Sequence, residues 1–368
     1  MKKNLLLFIT LFSYVILLSS CENKDDKELK IGFVAGLSGK YSSLGTNIRD
    51  GFILAFNEID NTIGNTNIKI IQYDDKQDKA QAKEAINTFI KEDIKLIVGN
   101  ATSSMTKISI PIVNKQKDTI LISATASSSE FSQIDDNFLR IQVDSTSKKY
   151  EAISKYLVEN NYTNIFCIYD SNNKTYAKDY QEMFQKIFIK NGGNPFVGSA
   201  DLNIPYNDIL KKVKTTKQNM ILVVGNSVDS AKIIQYLRIN NIKTKIHCSG
   251  WAKTLDFIEN GGKAVEGVLF FTSYDDSSTN PKYLKFVEKY KKIYNSIPSV
   301  FSVQGYELGQ LLISELKKSK DISKLKENIL SKKIYNGMQG DIIFDKYGDI
   351  SREYFLMEVI NSEFKRLD

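Results

Sequence analysis

The stretch that decides the fold of this chain is Ile94-Lys95-Leu96-Ile97-Val98-Gly99, followed by Asn100-Ala101-Thr102-Ser103-Ser104-Met105-Thr106. A mostly apolar run that ends in glycine and leads into hydroxyl-bearing residues is typical of a buried parallel strand that turns into a helix. The pattern returns at residues 119–123, which lead into Ala124-Thr125-Ala126-Ser127-Ser128-Ser129. Since parallel strands end at the same edge of a sheet, the two junctions are expected to lie side by side.

The alternation of strand and helix patterns extends over most of the chain in two series. The first series predicts strands at residues 29–36, 68–73, 94–99 and 119–123, and the second at 164–170, 220–225, 245–249 and 267–274. Helical periodicity lies between them, so the sequence predicts an α/β fold with two doubly wound parallel-sheet lobes. At the end of the chain, a β-hairpin is predicted in which residues 340–345 pair with 354–360.

The first residues have the layout of an export signal. Met-Lys-Lys-Asn is followed by an uncharged stretch from residue 5 to 18 and then by Leu18-Ser19-Ser20-Cys21. The basic start and short apolar core predict secretion, and the last four residues resemble the lipobox of bacterial lipoproteins. That resemblance implies cleavage after residue 20, a lipid on Cys21, a tether over 21–28 and an extracytoplasmic, membrane-anchored protein. The alternatives are an ordinary signal peptide with a chance cysteine, or an uncleaved anchor.

Composition argues against several functions. The formal net charge is +7, but the lysines are scattered among acids, so no nucleic-acid partner is predicted. His247 is the only histidine, which excludes a histidine-based metal cluster. Asp74, Asp75 and Asp78 lack the calcium-loop spacing and are interpreted as helix caps. No nucleophile has a recognisable elbow or neighbouring base, so neither a cofactor nor a catalytic residue is predicted.

Cys167 and Cys248 lie in strand-like segments. Export permits a disulfide, but two reduced, buried cysteines are favoured.

Residues that directly follow strands are the candidates for ligand binding. Ser103, Thr125 and Ser127 would offer hydroxyl donors at helix N-termini, where a small anion is stabilised; plain N-capping is the alternative. Tyr176 would cover a ligand from the opposite lobe or pack on its own helix. Trp251, the only tryptophan, would line the cleft or serve as a hinge or core aromatic.

Taken in order, these segments resemble the type I periplasmic substrate-binding proteins of ABC transporters, in the leucine/isoleucine/valine-binding branch. The resemblance covers residues 29–362 and rests on a series of short motifs: Ile31-Gly32, Leu37-Ser38-Gly39, Leu44-Gly45, Val98-Gly99-Asn100, Ile122-Ser123-Ala124-Thr125, Tyr169-Asp170-Ser171-Asn172 with Tyr176, residues 261–267, and Gly340 with Phe344-Asp345. It implies two lobes joined by a three-segment hinge. Lobe 1 would comprise residues 29–142 and 273–335, and lobe 2 residues 143–272 and 336–368.

The resemblance also implies a function. A small amino acid, of branched-chain type, would be enclosed in the interlobe cleft by clamshell closure and passed to an ABC permease, without catalysis. The ligand carboxylate would be held by the junction hydroxyls. By motif position the binding residues would be Ser103, Thr125, Ser127, Tyr176, Leu44 and Tyr274.

One position departs from the family pattern. Amino-acid binders of this branch often place an acid after the strand that ends here at residue 249, whereas this chain has Gly250-Trp251. A buried ammonium without a partner is unfavourable by roughly several kcal/mol. Either Asp229 or Asp275 replaces the acid, or the ligand is a small carboxylate or amide that lacks an ammonium. A sensory protein of the same fold and a hydrolase that uses Ser103 are the further alternatives.

Overall fold

The computed structural model describes residues 27–144 and 147–367. The predicted signal peptide and Cys21 lie outside these residues. Among the helices described, none combines the length and apolarity needed to cross a bilayer.

The first sheet has the strand order β2-β3-β1-β4-β5-β6. All neighbouring strands in it are parallel except β2, which is antiparallel to β3. Its strands are β1 (Lys27–Ala35), β2 (Thr62–Ile63), β3 (Thr66–Asp74), β4 (Leu96–Gly99), β5 (Ile120–Ser123) and β6 (Phe138–Arg140). Its connecting helices are α1 (Ser42–Asn57), α2 (Lys79–Lys91) and α3 (Ser103–Val113). Every residue of β4 and β5 is buried, which explains their apolar runs.

The second sheet has the order β16-β15-β11-β10-β9-β7-β8. Its strands are β7 (Ile165–Tyr169), β8 (Gly198–Asp201), β9 (Met220–Val224), β10 (Lys245–Cys248), β11 (Leu269–Thr272), β15 (Phe355–Ile360) and β16 (Glu363–Arg366). The neighbouring strands β8, β7, β9, β10 and β11 are parallel, whereas β15 pairs antiparallel with β11, and β16 pairs antiparallel with β15. Its helices are α4 (Ser147–Glu159), α5 (Lys174–Lys190), α6 (Tyr206–Lys214), α7 (Ser227–Ile239) and α8 (Leu255–Gly261).

Three helices after β11 and a small antiparallel sheet complete the chain. The helices are α9 (Pro281–Tyr294), α10 (Val300–Lys318) and α11 (Leu325–Lys332), and the small sheet contains β12 (Ile334–Asn336), β13 (Asp341–Phe344) and β14 (Ile350–Ser351). We call the first sheet with α1–α3 and α9–α11 the first lobe, and the second sheet with α4–α8 the second lobe. The chain passes between them after β6, β11 and β14. The predicted α/β fold with two mainly parallel sheets is thus confirmed.

The small sheet is attached to the first lobe. The Arg140 guanidinium at the end of β6 pairs with the Asp349 carboxylate at 2.6 Å, and the Tyr335 hydroxyl donates to Glu315 of α10 at 2.8 Å. The small sheet therefore contacts the first lobe, whereas the predicted boundary at residue 335 assigned residues 336–351 to the second lobe. Strand pairing places only β15 and β16 in the second sheet.

The predicted terminal hairpin is wrong. β13 does pair antiparallel, but with the two-residue β14, whereas the segment 355–360 pairs with β11 and β16. The turn was recognised correctly, but the chain crosses to the other lobe after β14, and periodicity along the sequence carries no information on which sheet receives a strand.

Close contact between α1 and α10 fixes the returning helix to the first lobe. A Cβ atom on Gly51 would lie 1.9 Å from the carbonyl oxygen of Ser302, and one on Gly305 would lie 2.1 Å from that of Ile48. Only glycine therefore permits this helix separation.

We expect Gly305→Ala to destabilise the protein by about 1–3 kcal/mol, because the added methyl group must push α10 away from α1. Thermal and urea denaturation measure the effect, with the exposed Lys317→Ala on the same helix as control. Equal stability of the two variants would contradict this account of the helix contact.

Candidate functional site

A cavity of about 50 Å³ lies between the two lobes. The carboxyl ends of the parallel strands in both sheets point toward it, which is the usual ligand position in such sheets. Of the residues proposed from sequence as ligand-binding, all except Tyr274 line the cavity, namely Leu44, Ser103, Thr125, Ser127, Tyr176 and Trp251. Their contact with a ligand stays a prediction.

The two hydroxyl-rich junctions are bonded to each other. The Ser103 Oγ atom accepts the N–H groups of Ser127 and Ser128 at 3.1 and 3.2 Å. The Thr125 hydroxyl donates to the carbonyl oxygen of Ala101 at 2.6 Å. Because the Ser103 oxygen accepts two hydrogen bonds, its proton is the part of the hydroxyl left for a further partner.

Plain N-capping does not account for these hydroxyls. Helix α3 begins at Ser103, and its N-cap residue, Thr102, makes no side-chain cap bond, because its hydroxyl donates to Gln77 instead. The N-terminus of α3 thus lies at the cavity without a cap from its own N-cap residue, and the Ser104 N–H donates instead to the Asn173 side chain of the second lobe. This arrangement attracts an anion.

Aromatic rings form one wall of the cavity. Tyr176 lies edge-on to Trp251, with ring centroids 5.7 Å apart, and is also edge-on to Tyr180 of its own helix at the same distance. Trp251 is stacked against Tyr41 of the first lobe, at 6.1 Å and an interplanar angle of 12°. The Tyr176 ring thus packs on its own helix and lines the cavity at the same time, so the two predicted alternatives do not exclude each other.

The lobes touch at the edge of the cavity near α3. The Ser104 N–H donates to the Asn173 side-chain oxygen, and the Thr175 N–H donates to the Ser104 hydroxyl, both at 3.1 Å. The Asp179 carboxylate accepts both the N–H and the hydroxyl of Ser129. All these bonds join the first lobe to the second, so the structure is a closed arrangement.

A second set of contacts joins the lobes near the first loop. The Lys40 ammonium lies 3.0 Å from the Asp229 carboxylate, and the Tyr41 hydroxyl donates to Asp170 at 3.1 Å. Asp229 also accepts from Asn226 at 2.8 Å. Asp229 therefore holds the two lobes together from a position outside the cavity.

Neither acid proposed to pair with a ligand ammonium lies in the cavity. Asp229 is engaged by Lys40, and Asp275 accepts the N–H and hydroxyl of Ser277. Among the described residues that line the cavity, none is an aspartate or a glutamate. Neither acid is thus placed at the cavity, and its pairing with a ligand ammonium stays a prediction that the lining does not favour.

Sequence reasoning missed the one cation of the described lining, Lys149. It lies near the start of α4, is 8% exposed, and its ammonium is 5.4 to 5.9 Å from the ring centroids of Tyr150, Tyr180 and Tyr354. A signal was available: Lys149 precedes Ile153 by four residues, so it lies on the apolar face of the predicted helix. A charged residue on a buried face indicates a functional position.

Burial lowers the pKa of Lys149 from its ordinary value of 10.5 to about 8. Desolvation is the largest cause, nearby Asp144 and Asp179 oppose it, and Arg140 adds to it. The side chain is therefore mostly charged at neutral pH. Among the residues that the structure describes, however, none accepts a hydrogen bond from its ammonium or forms an ion pair with it.

Other lining residues missed from sequence come from the three passages between the lobes. Gln142 follows β6, Phe271 and Ser273 lie at the end of β11, and Tyr354 precedes β15. They could not be found by the strand-to-helix rule, because the segments containing them connect lobes rather than successive elements of one sheet.

Tyr274 is the predicted site residue that the structure places elsewhere. Its hydroxyl donates to Glu307 of α10 and accepts from Arg352, and Arg352 also pairs with Glu307. Tyr274 thus belongs to a buried polar cluster at the hinge. Thr272 and Ser273 line the cavity in its place, because the strand ends two residues earlier than predicted.

The remaining sequence-based interpretations concern structural residues. Asp78 caps α2 by accepting the N–H groups of Ala80 and Gln81, as predicted. Cys167 and Cys248 are free and buried, also as predicted, and β9 lies between their strands. Burial lowers the pKa of His247 to about 4, so this histidine is neutral in the core.

Two α/β lobes that touch around a cavity lined from both sides, and that are connected by three chain segments, define a two-lobed solute-binding protein. The comparison with known families agrees, because residues 28–363 match the periplasmic binding protein family, and the chain belongs to that family. The members of this family bind solutes and are not enzymes, as the sequence predicted.

Relatives share the fold at low sequence identity. A Leu/Ile/Val-binding protein homolog of Brucella abortus is 23% identical over 347 residues, covering 90% of each chain. The substrate-binding protein LivJ of Streptococcus pneumoniae, solved with isoleucine, superimposes with a TM-score of 0.84 at 23% identity, over 93% of this chain and 99% of that one. A solute-binding protein of R. palustris in complex with benzoate also gives 0.84, at 18% identity, over 92% and 95%.

We expect Lys149→Met to raise the melting temperature of the ligand-free protein near neutral pH. Below pH about 8 the lysine is charged in both states, and the folded state bears the full penalty of burying that charge. Between about 8 and 10.5 the unfolded chain binds a proton that the folded protein does not, so wild-type stability rises with pH. The gain from methionine should therefore shrink across that interval.

Thermal denaturation of both proteins over this pH range, with the exposed Lys155→Met on the same helix as control, measures the effect. A lower melting temperature for Lys149→Met at neutral pH would show that the ring contacts of the ammonium outweigh its desolvation.

Proposed function

We propose that this protein is the lipid-anchored, extracytoplasmic solute-binding component of an ABC importer, and that its solute is a small carboxylate without an ammonium group. The observation that carries the proposal is the charge of the cavity lining, which contains Lys149 and no described aspartate or glutamate. An importer permease in the membrane is the proposed partner, as the family membership and the relatives' names suggest.

The N-terminus of α3 is the proposed carboxylate site. The Ser103 hydroxyl has its proton to donate, and the helix dipole adds positive potential at the same place. Ser127, whose side chain also lines the cavity, and Leu44 on α1 would complete this end of the site.

An α-amino acid fits the lining less well. Its ammonium would lie in a water-poor cavity beside a like charge, and no lining carboxylate would offset the loss of hydration. Branched-chain amino acids remain the competing candidates because LivJ of S. pneumoniae was solved with isoleucine. The benzoate complex of the R. palustris protein supports a carboxylate without an ammonium.

Closure of the two lobes is the proposed binding mechanism. The moving units would be the lobes predicted from sequence, 29–142 with 273–335 and 143–272 with 336–368, except that residues 336–351 would move with the first. The contacts Lys40–Asp229 and Ser129–Asp179 form only when the lobes meet. A solute that bridges the lobes would shift the protein toward this closed state.

We expect 4-methyl-2-oxopentanoate, the oxo analogue of leucine, to bind at least about tenfold more tightly than leucine, because it has the same carbon chain and carboxylate but no ammonium. Calorimetry and the fluorescence of Trp251, the single tryptophan, measure both affinities. Ser103→Ala should weaken binding of the oxo acid by roughly 1–3 kcal/mol, through loss of a donor to a charged group.

The exposed Ser296→Ala is the control for Ser103→Ala. Tighter binding of leucine than of its oxo analogue would contradict the proposed solute class. An unchanged affinity in Ser103→Ala would place the carboxylate elsewhere.

We expect Cys21→Ser to release the protein from the membrane, since the proposed anchor is a lipid on that sulfur. Membrane fractionation and labelling with a radioactive fatty acid in the native host compare it with wild type. Substitution of either remaining cysteine, Cys167→Ser or Cys248→Ser, should leave the label in place. A wild-type protein that carries no label would contradict the anchor.

A further inference from the structure

We propose that the cavity selects a solute with oxygen acceptors at two ends: a carboxylate at the N-terminus of α3, and a second carboxylate, oxo or hydroxyl oxygen that accepts from Lys149. The class is therefore a small dicarboxylate or an oxygenated monocarboxylate. This inference deepens the proposed function and rests on it.

Lys149 is a buried donor without an acceptor. The residue is 8% exposed and thus 92% buried, and it lines the cavity. Its ammonium nevertheless forms no hydrogen bond or ion pair with the residues that the structure describes. The two nearby carboxylates are already engaged: Asp144 lies 3.5 Å from the guanidinium of Arg140, and Asp179 accepts the N–H of Ser129. An unpartnered buried ammonium is unfavourable, and an acceptor from a solute would relieve it.

Two side-chain amides of the lining have N–H donors without a partner among the residues that the structure describes. The Gln142 oxygen accepts from the Gln304 amide at 3.0 Å and from the Val143 N–H at 3.2 Å. The Asn173 oxygen accepts from the Ser104 N–H at 3.1 Å. Both oxygens already accept hydrogen bonds, and the amide N–H groups of these lining residues are donors. The cavity is consequently rich in donors, and a matching solute is rich in acceptors.

The donors lie on different walls. Ser103 belongs to the first lobe, at the start of α3, whereas Lys149 lies on α4 just after the first passage between lobes, close to Tyr354 at the third. A solute with acceptors at both ends would satisfy both. A carboxylate with a wholly apolar tail would leave the ammonium of Lys149 unpartnered.

Matched solute pairs test the inference. In each pair, butanoate against butanedioate and benzoate against 4-hydroxybenzoate, the second member adds one distal oxygen-bearing group. We expect the second member of at least one pair to bind about tenfold or more tightly to the purified protein by calorimetry. Lys149→Met should remove that preference, so that the two members of the pair bind equally, and Lys149→Arg should retain part of it.

Lys155→Met is the matched control, an exposed lysine on the same helix that should keep the wild-type preference. Equal affinity within both pairs, or a preference that survives in Lys149→Met, overturns this inference and leaves the proposed function intact. Failure of all four carboxylates and of 4-methyl-2-oxopentanoate to bind overturns both.

The wild-type protein provides a second measurement that needs no variant. The charged and titratable groups that face Lys149 are Asp144, Asp179, Arg140, His247, Tyr150, Tyr180 and Tyr354. Burial lowers the pKa of His247 to about 4 and raises the pKa of Tyr180 and of Tyr354, whereas it lowers the pKa of Lys149 to about 8, between pH 7 and 9. The preference for butanedioate over butanoate should fall across that range, and a constant preference would overturn the inference.

Discussion

The hydrogen bonds accepted by the Ser103 hydroxyl are the constraint on which the site depends. They tie the junction after β4 to the junction after β5, because the acceptor lies in one and the two donor N–H groups lie in the other. The bond from Thr125 to Ala101 repeats the connection in the opposite sense. The N-terminus of α3 is thereby held in one orientation toward the second lobe. A helix dipole and a hydroxyl proton that are fixed before a solute arrives need little reorganisation when it binds.

Lys149 illustrates a conflict between stability and function. Its ammonium has lost most of its hydration and gains in return ring contacts and the attraction of Asp144 and Asp179, which together do not offset the desolvation, so we expect the lysine to destabilise the fold that contains it. An aliphatic residue of similar length would fill the same space without that penalty. The presence of a charge there is explained if a solute supplies the counter-charge, since proteins retain such costly groups mainly at binding and catalytic sites.

Sequence patterns predicted the parts of the structure that depend on residues close together in the chain. Ser103, Thr125 and Ser127 could be placed at one sheet edge because a parallel strand followed by a helix fixes where its last residues point. Tyr274 was misplaced because its contacts with Glu307 and Arg352 come from distant segments of the chain. The pairing of residues 355–360 with β11 was missed for the same reason: it depends on passage between lobes, which neither propensity nor periodicity encodes.

Closure and charge are linked in this molecule. Lys149 lines a cavity whose walls come from both lobes, so opening the lobes would admit water to its ammonium. In the closed state that hydration is lost, while Lys40–Asp229 and the stacking of Tyr41 on Trp251 are gained. An anion in the cavity removes the penalty only in the closed state, and such differential affinity is what a solute needs to shift the equilibrium. On the proposed function, the buried lysine would therefore be the element that makes closure depend on the charge of the solute.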